Sequence, residues 1–129
     1  MAVGNPGNVY VGVVDDDENL LRSLARLLRA AGMQPITYLS AEAFRADAKR
    51  PRFDCLVLDV QLPGMSGIDL RNQLAAEGAT TAILFVTAHD DPQARASALA
   101  GPCAGYFRKT DAGSDILDTI RRAVAQTPI

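Results

Sequence analysis

The sequence lacks the segments that mark several large classes of protein. No apolar run approaches the ~18 residues needed to cross a bilayer, and the first eight residues carry neither the basic residues nor the apolar stretch of a secretory signal. No stripe of lysine and arginine is present and the formal net charge is −2, so nothing indicates binding to nucleic acid. We therefore expect a cytoplasmic domain that binds neither membrane nor nucleic acid.

Cysteine and histidine are also scarce, with two cysteines and one histidine in the chain. Cys55 and Cys103 lack metal-ligating neighbours in the sequence and fit a reducing compartment. Cys55 lies inside an apolar run, where a free cysteine usually serves as a small core residue. A zinc site is therefore not indicated, because no cluster of cysteine and histidine ligands is available.

What the chain does contain is enough apolar sequence for one domain: 48% of its 129 residues are hydrophobic. Residues 1–8 are interpreted as a flexible lead-in and residues 9–127 as the folded domain, without internal repeats. Five apolar segments are predicted as strands, at 9–14, 34–39, from Phe53 through Asp59, 82–87 and 104–108. Five segments between and after them are predicted as helices, at 18–31, 41–49, 67–77, 93–100 and 114–126.

This alternation of strands and helices predicts an α/β fold, a doubly wound five-stranded parallel sheet in the order 2-1-3-4-5 with helices on both faces. Pro35 places the second strand at an edge. Local signals support the helix starts: Asp17 and Ser40 as caps and a capping box at 66–69. The fourth helix, with Pro92 in its first turn, is mostly alanine and is expected to be the least firmly held element.

Polar side chains stand where four of the predicted strands end. Asp15 and Asp16 follow the first strand, Asp59 ends the third, Thr87 the fourth, and Lys109 the fifth. Since the carboxyl ends of parallel strands meet at one edge of a sheet, we expect these five side chains to share a pocket. Each of these residues is common at the end of a strand, but the occurrence of all five at four neighbouring strand ends specifically indicates a functional site.

The chemistry of such a pocket follows from its charges. Three neighbouring carboxylates repel, so without a cation at least one of their pKa values is expected to rise. Mg²⁺ would relieve this repulsion and commonly shares a phosphate oxygen. With Lys109 and Thr87 opposite, the pocket suits a phosphoryl group in transfer. Asp59 could then be the nucleophile and form an aspartyl-phosphate.

Four segments together resemble the receiver domain of bacterial two-component response regulators. They are Val-Val-Asp-Asp-Asp at 13–17, Leu-Asp-Val-Gln-Leu-Pro-Gly-Met-Ser-Gly at 58–67, Val-Thr-Ala at 86–88 and Gly-Tyr-Phe-Arg-Lys at 105–109. The resemblance covers nearly the whole chain, in the family's order. It implies a flavodoxin-like receiver fold and a signalling domain that catalyses only its own phosphorylation and dephosphorylation.

The resemblance assigns the phosphoacceptor and the metal ligands. It implies that Asp59 accepts a phosphoryl group from the phosphohistidine of a sensor histidine kinase or a phosphotransfer protein. Asp16, Asp59 and the backbone carbonyl of Gln61 would bind Mg²⁺ directly, and Asp15 would act through water. A downstream protein or a fused output domain would read the signal, and the domain would be a monomer or a weak dimer.

The resemblance also implies how the phosphoryl group is sensed. Lys109 would pair with its oxygens, and Thr87, helped by the backbone amide of Ala88, would hydrogen-bond one of them. Tyr106 would turn inward as Thr87 moves, which repacks the face formed by the fourth helix, fifth strand and last helix. His89 and Gln61 occupy variable positions that tend to tune the lifetime of the phosphoryl group.

The sequence departs from the family pattern in two places, both near the signalling face. Thr110 stands where proline usually follows the lysine, so we expect a trans bond between Lys109 and Thr110. The segment 102–105 has one residue more than usual, while the segment before it is one residue shorter. These differences concern how the signal is read, not the phosphoacceptor site.

Three alternative functions remain open at this stage. A receiver-like scaffold could signal without phosphate, although the complete acid set argues against it. An aspartate-nucleophile phosphohydrolase would require a second aspartate at the position of Gln61. A flavodoxin-like cofactor binder would require a phosphate-binding loop where Asp15, Asp16 and Asp17 stand, and these would repel phosphate.

Overall fold

The computed structural model describes residues 9–111 and 113–125. Within these ranges five strands and five helices alternate along the chain. They are β1 (Tyr10–Val14), α1 (Glu18–Ala30), β2 (Gln34–Tyr38), α2 (Ala41–Ala46), β3 (Cys55–Asp59), α3 (Gly67–Ala76), β4 (Ala82–Thr87), α4 (Pro92–Leu99), β5 (Gly105–Arg108) and α5 (Gly113–Ala125). Among the described residues, no helix is both long and apolar enough to span a membrane.

The strands form one parallel sheet in the order β2-β1-β3-β4-β5, which confirms the predicted topology. β2, the strand that carries Pro35, lies at an edge. The register pairs Asp59 with Val86 and Thr87 with Arg108. The ends of β3, β4 and β5 therefore lie level with one another at the carboxyl edge of the sheet.

The core consists of two layers, one on each face of the sheet. Along β3 the side chains alternate, so Leu56 and Leu58 belong to the layer under α2, α3 and α4, whereas Cys55 and Val57 belong to the layer under α1 and α5. All five residues of β3 are buried, as expected for a parallel strand covered on both faces. Burial raises the pKa of the Cys55 thiol to about 12, in agreement with a core role.

The predicted helix caps are confirmed. The Asp17 carboxylate accepts hydrogen bonds from the backbone N–H groups of Asn19 and Leu20, and Ser66 and Asp69 form the reciprocal capping box. Gly32 ends α1 with a φ of 83°, a conformation that glycine adopts without strain. The peptide bond between Lys109 and Thr110 is trans, as predicted.

Some predicted boundaries are wrong by one to three residues. α2 ends at Ala46 rather than at residue 49, because the Asp47 carboxylate accepts hydrogen bonds from Lys49 N and the Tyr38 hydroxyl and forms a turn there. α4 begins at Pro92, one residue before the predicted start, and its N-cap is Asp91, whose carboxylate accepts a hydrogen bond from Ala94 N. The lead-in predicted at 1–8 and the last residues of the predicted domain lie outside the described residues.

α4 buries little apolar surface, as its composition predicted. Its only buried side chain is that of Ala98, and Leu99 is largely exposed. Apolar packing therefore contributes little to holding this helix on the sheet.

Candidate functional site

The acidic residues predicted to meet at the carboxyl edge of the sheet do meet there. Asp15, Asp16 and Asp59 each offer one carboxylate oxygen, and these oxygens lie within 4.8 Å of one another. Asp15 and Asp59 are buried at the ends of β1 and β3, whereas Asp16 is exposed. Two buried carboxylates so close together require a positive charge nearby.

Lys109 supplies that charge from the end of β5. Its Nζ lies 3.0 Å from Oδ1 of Asp15 and 3.1 Å from Oδ2 of Asp59, and its backbone N–H donates to the carbonyl of Thr87 at 2.8 Å. Burial by itself would lower the pKa of Lys109, but the hydrogen bonds to the two carboxylates outweigh it and raise the pKa above the usual value. The lysine therefore remains charged.

Asp59 is held at both oxygens. Oδ2 faces Lys109, and Oδ1 accepts a hydrogen bond from the backbone N–H of Gln61 at 3.1 Å. The helix that follows packs directly against its backbone: a Cβ on Gly67 would lie 2.0 Å from the Asp59 carbonyl oxygen. This contact gives a physical reason for glycine at the end of the Leu-Pro-Gly-Met-Ser-Gly segment.

Asp15 is the carboxylate left incompletely paired. Its Oδ1 accepts from the backbone N–H of Asp17 at 2.8 Å as well as from Lys109, but its buried Oδ2 has no hydrogen-bond partner among the described residues. Burial, with a smaller contribution from the neighbouring Asp59, raises the pKa of Asp15 to about 6. A buried, unpaired carboxylate oxygen beside two further carboxylates is a donor set that fits a hard divalent cation such as Mg²⁺.

Thr87 is buried at the end of β4, and its hydroxyl interacts with the loop that follows. The hydroxyl donates to the carbonyl of His89 at 3.0 Å and accepts from the N–H of the same residue at 3.1 Å. The structure thus places Thr87 at the expected edge, with its hydroxyl bonded to the β4–α4 loop. Both Ala88 and His89 are exposed there.

Tyr106 lies under α4, beside Phe85 in the register of β4 and β5. The guanidinium of Arg95 lies 5.1 Å from the centroid of its ring. Its hydroxyl is buried and has no partner of hydrogen-bond geometry in the described part of the chain. Burial, together with the nearby Asp90 carboxylate, raises the pKa of the Tyr106 phenol. The tyrosine therefore links β5 to the N-terminal half of α4.

A surface groove of about 560 Å³ adjoins the acid cluster. It is lined by Ala88, His89, Asp90, Asp91 and the segment from Arg108 to Thr110. Lys109 thus contacts the buried carboxylates and also lines this groove.

The sequence reasoning missed two charged residues that hold neighbouring elements in place, Glu42 beside the β3–α3 loop and Arg71 at the end of α4. Glu42, on the exposed side of α2, accepts a hydrogen bond from the N–H of Met65 at 2.8 Å and lies against Gly64, whose φ is 75°. It thereby braces the β3–α3 loop that also carries Gln61, and this bond lowers the pKa of the Glu42 carboxyl. Arg71, on α3, is buried beneath the end of α4. In the sequence, each is only a charged residue on a predicted helix. For Arg71, the low apolar content of α4 was the only indication that a polar contact holds that helix in place.

A parallel sheet of this order with an acid cluster and a lysine at its carboxyl edge defines a class of small doubly wound α/β domains. The family model described as the response regulator receiver domain matches residues 11–126. The chain therefore belongs to the response regulator receiver domain family, as the sequence motifs indicated.

Known relatives agree with this assignment. The chain is 34% identical over 124 residues to the response regulator protein TmoT of Ectopseudomonas mendocina, covering 96% of this chain and 56% of TmoT. It is 33% identical over 116 residues to the response regulator protein TodT of Pseudomonas putida, covering 90% of this chain and 51% of TodT. The chain thus spans about half the length of these relatives.

Solved structures show the same fold. The crystal structure of FixJ-N superposes with a TM-score of 0.83 at 30% identity, covering 95% of this chain and 98% of FixJ-N. A CheY-like receiver domain from Methanospirillum hungatei superposes with a TM-score of 0.85 at 21% identity, covering 92% of this chain and 95% of that domain. The latter likeness concerns the fold alone.

Proposed function

We propose that this domain accepts a phosphoryl group on Asp59 from a phosphohistidine in a Mg²⁺-dependent reaction. The observation that supports this most directly is the arrangement of Asp15, Asp59 and Lys109, in which one buried carboxylate oxygen has no hydrogen-bond partner among the residues that the structure describes. The phosphorus–nitrogen bond of the donor breaks and a phosphorus–oxygen bond to the Asp59 carboxylate forms. The donor ring, protonated on its other nitrogen before transfer, keeps the electron pair of the broken bond and leaves as neutral imidazole.

The residues around Asp59 have separate roles in this proposal. Asp16, Asp59 and the backbone carbonyl of Gln61 would hold the metal ion directly, with Asp15 acting through water. Bound there, Mg²⁺ would neutralise charge on the phosphoryl oxygens during transfer. Lys109 would exchange part of its contact with Asp15 and Asp59 for the phosphoryl oxygens, because it is the charged donor already facing both carboxylates.

Thr87 and Tyr106 would pass the change on to the α4–β5–α5 face. The hydroxyl of Thr87 would leave the backbone of His89 and, with the amide of Ala88, bond a phosphoryl oxygen. This movement releases the β4–α4 loop, which carries the N-cap of α4. The buried hydroxyl of Tyr106, without a partner among the described residues, lies under the helix that would move. A phosphoryl group adds about −1.5 to −2 charge, enough to bias such a two-state element.

The partners follow from the chemistry and from the length of the relatives. The donor would be a sensor histidine kinase or a phosphotransfer protein, and the recipient of the signal a downstream protein or a fused output domain. The α4–β5–α5 face offers little apolar area for self-association, since, among the described residues, Leu99 is the one large apolar side chain that α4 exposes. We therefore propose a monomer or a weak dimer.

Beryllofluoride, which mimics a phosphoryl group on a carboxylate, gives a direct test. Addition of beryllofluoride with Mg²⁺ should change the NMR spectrum of the wild-type domain around Asp59, Thr87 and Lys109, and Asp59→Asn should abolish the change. Acetyl phosphate with Mg²⁺ should add one phosphoryl group to the wild type by intact mass, and none to the variant. A wild-type spectrum and mass unaffected by either reagent would instead support a scaffold that signals without phosphate.

A further inference from the structure

Arg71 is a buried cation whose partners are backbone carbonyls. It projects from α3 and is 3% exposed. Nη1 donates to the carbonyls of Ala98 at 2.6 Å and Pro102 at 3.1 Å, and Nη2 donates to the carbonyl of Ser97 at 2.9 Å. Its Nε donates to the Asn72 side chain at 2.9 Å. Among the described residues no carboxylate lies within ion-pair distance of it.

These contacts complete the end of α4. The last carbonyls of a helix have no partner within the helix, and a positive charge there is favoured by the helix dipole. Ser97 and Ala98 contribute two of those carbonyls, and Arg71 satisfies both from a neighbouring helix. A Cβ on Gly101 would lie 2.8 Å from the guanidinium carbon, so the turn after α4 also fits closely around Arg71.

The attachments of α4 are therefore unequal at its two ends. The C-terminal end is fixed by the buried guanidinium, which also lies over the Phe85 ring at 5.3 Å, and by Ala98. The N-terminal half is held by the cap of Asp91, by the partly buried Ala94, by the contact between Arg95 and the Tyr106 ring, and by a 3.7 Å ion pair between Arg95 and Asp90. Arg95 is exposed, and Asp90 and Asp91 belong to the loop bonded to Thr87, so these polar contacts yield more easily than those of the buried guanidinium.

We propose that Arg71 is a positioning residue that makes the C-terminal end of α4 a fixed pivot. Rearrangement of the signalling face on phosphorylation is then confined to the N-terminal half of α4 and its loop, next to Thr87 and Tyr106. This inference rests on the proposed function, because it concerns how the signal from Asp59 spreads.

Hydrogen exchange of the full chain tests the pivot in the wild type. Adding beryllofluoride and Mg²⁺ should change the exchange rates of amides 94–96, while amides 97–100 should keep their rates within about twofold. Equal changes in both groups of amides would overturn the pivot.

Variants at Arg71 test the cause. Arg71→Met removes all the guanidinium hydrogen bonds, whereas Arg71→Lys keeps the positive charge but loses the planar guanidinium that binds several carbonyls at once. The control is Arg121→Met, on the exposed side of α5. In both Arg71 variants, without ligand, amides 97–100 should exchange roughly tenfold faster, about the effect of losing one charge-assisted hydrogen bond. With beryllofluoride, the change should spread along all of α4. Should Arg71→Met fail to fold, Arg71→Lys carries the test.

A native thiol gives an independent readout. Cys103 follows Pro102, whose carbonyl accepts a hydrogen bond from Arg71, and it is half-buried. Cys55 is fully buried and serves as an internal reference. Labelling of Cys103 by a thiol reagent should accelerate roughly tenfold in Arg71→Lys relative to the wild type. Because lysine keeps a positive charge beside the thiol, such a gain reports exposure of Cys103 rather than its pKa.

The failures of the two proposals look different. If amides 87 and 88 respond to beryllofluoride but the Arg71 variants exchange and label like the wild type, the pivot is wrong and the phosphoacceptor role stands. If no wild-type amide responds, the phosphoacceptor role fails and the pivot fails with it.

Discussion

Lys109 Nζ lies 3.0 Å from Oδ1 of Asp15, so the ends of β5 and β1 are bridged although β3 and β4 lie between them. The bridge passes over Asp59, which the same ammonium contacts at 3.1 Å. One lysine therefore neutralises only part of the charge of two buried carboxylates, and the pKa of Asp15 is raised. The first two predictions follow from this charge arrangement.

The stability of the metal-free domain should fall as pH rises from about 4 to about 6. The pKa of Asp15 is raised from 3.8 to about 6 in the folded state. The folded protein therefore holds a proton that the unfolded chain has released, and its advantage is lost as that proton dissociates. Asp15→Asn removes this titration, so its stability relative to the wild type should rise by up to about 3 kcal/mol between pH 4 and pH 7. Urea unfolding in the presence of a chelator, followed by circular dichroism, measures both proteins.

The control for this experiment is Asp118→Asn, an exposed carboxylate 3.9 Å from Arg121 on α5. It should follow the wild-type pH profile within about 0.5 kcal/mol. Parallel pH profiles for Asp15→Asn and the wild type would show that Asp15 is not the titrating group.

Mg²⁺ should stabilise the wild-type domain through the acid cluster. At about 100 times its dissociation constant, a ligand that binds only the folded state adds about 2.7 kcal/mol to the free energy of unfolding. The gain should be largest above pH 6, where Asp15 is ionised, and should be strongly reduced in Asp16→Asn and Asp59→Asn. Thermal unfolding by circular dichroism suits the measurement, since the chain contains no tryptophan. An undiminished gain in both variants would place the ion elsewhere.

Gly67→Ala should be strongly destabilising. An added Cβ would lie 2.0 Å from the Asp59 carbonyl oxygen and 3.3 Å from Cβ of Leu58, so the start of α3 must move away from β3. We expect a loss of about 3 kcal/mol in the free energy of unfolding, the upper end of the usual cost of overpacking. The matched change is Gly78→Ala, where no atom lies within 4 Å of the added Cβ and φ is 83°; it should lose only about 1–2 kcal/mol through backbone strain. Equal losses in chemical denaturation would contradict the steric explanation.

Glu42→Ala should weaken Mg²⁺ binding without removing any ligand. The Glu42 carboxylate holds the N–H of Met65 at 2.8 Å, and the same loop positions Gln61. Its loss should lower the affinity for Mg²⁺ by up to about tenfold, as for other residues that support metal ligands, measured from the Mg²⁺ dependence of thermal unfolding. The control is Glu77→Ala, which removes the Arg45 partner between α2 and α3 but leaves the loop intact. The same affinity in both variants would argue against a bracing role.

The sequence was sufficient for the features that depend on local patterns. Apolar strand segments, capping residues such as Asp17 and Ser66, and the alternation of strands with helices predicted the elements and their order in the sheet. Because parallel strands in that order place their carboxyl ends together, Asp15, Asp16, Asp59, Thr87 and Lys109 could be assigned to one edge before the structure was known.

Tertiary structure alone decided which of those residues touch and how. Burial of Asp15 and exposure of Asp16 depend on the packing of the β1–α1 turn. The sequence therefore predicted that one carboxyl in the cluster has a raised pKa, but not that this carboxyl is Asp15. The Glu42–Met65 bond spans 23 residues and the Arg71–Ala98 bond spans 27. A charged residue on a helix carries no mark of such a distant partner, because its contact is created only when the chain folds.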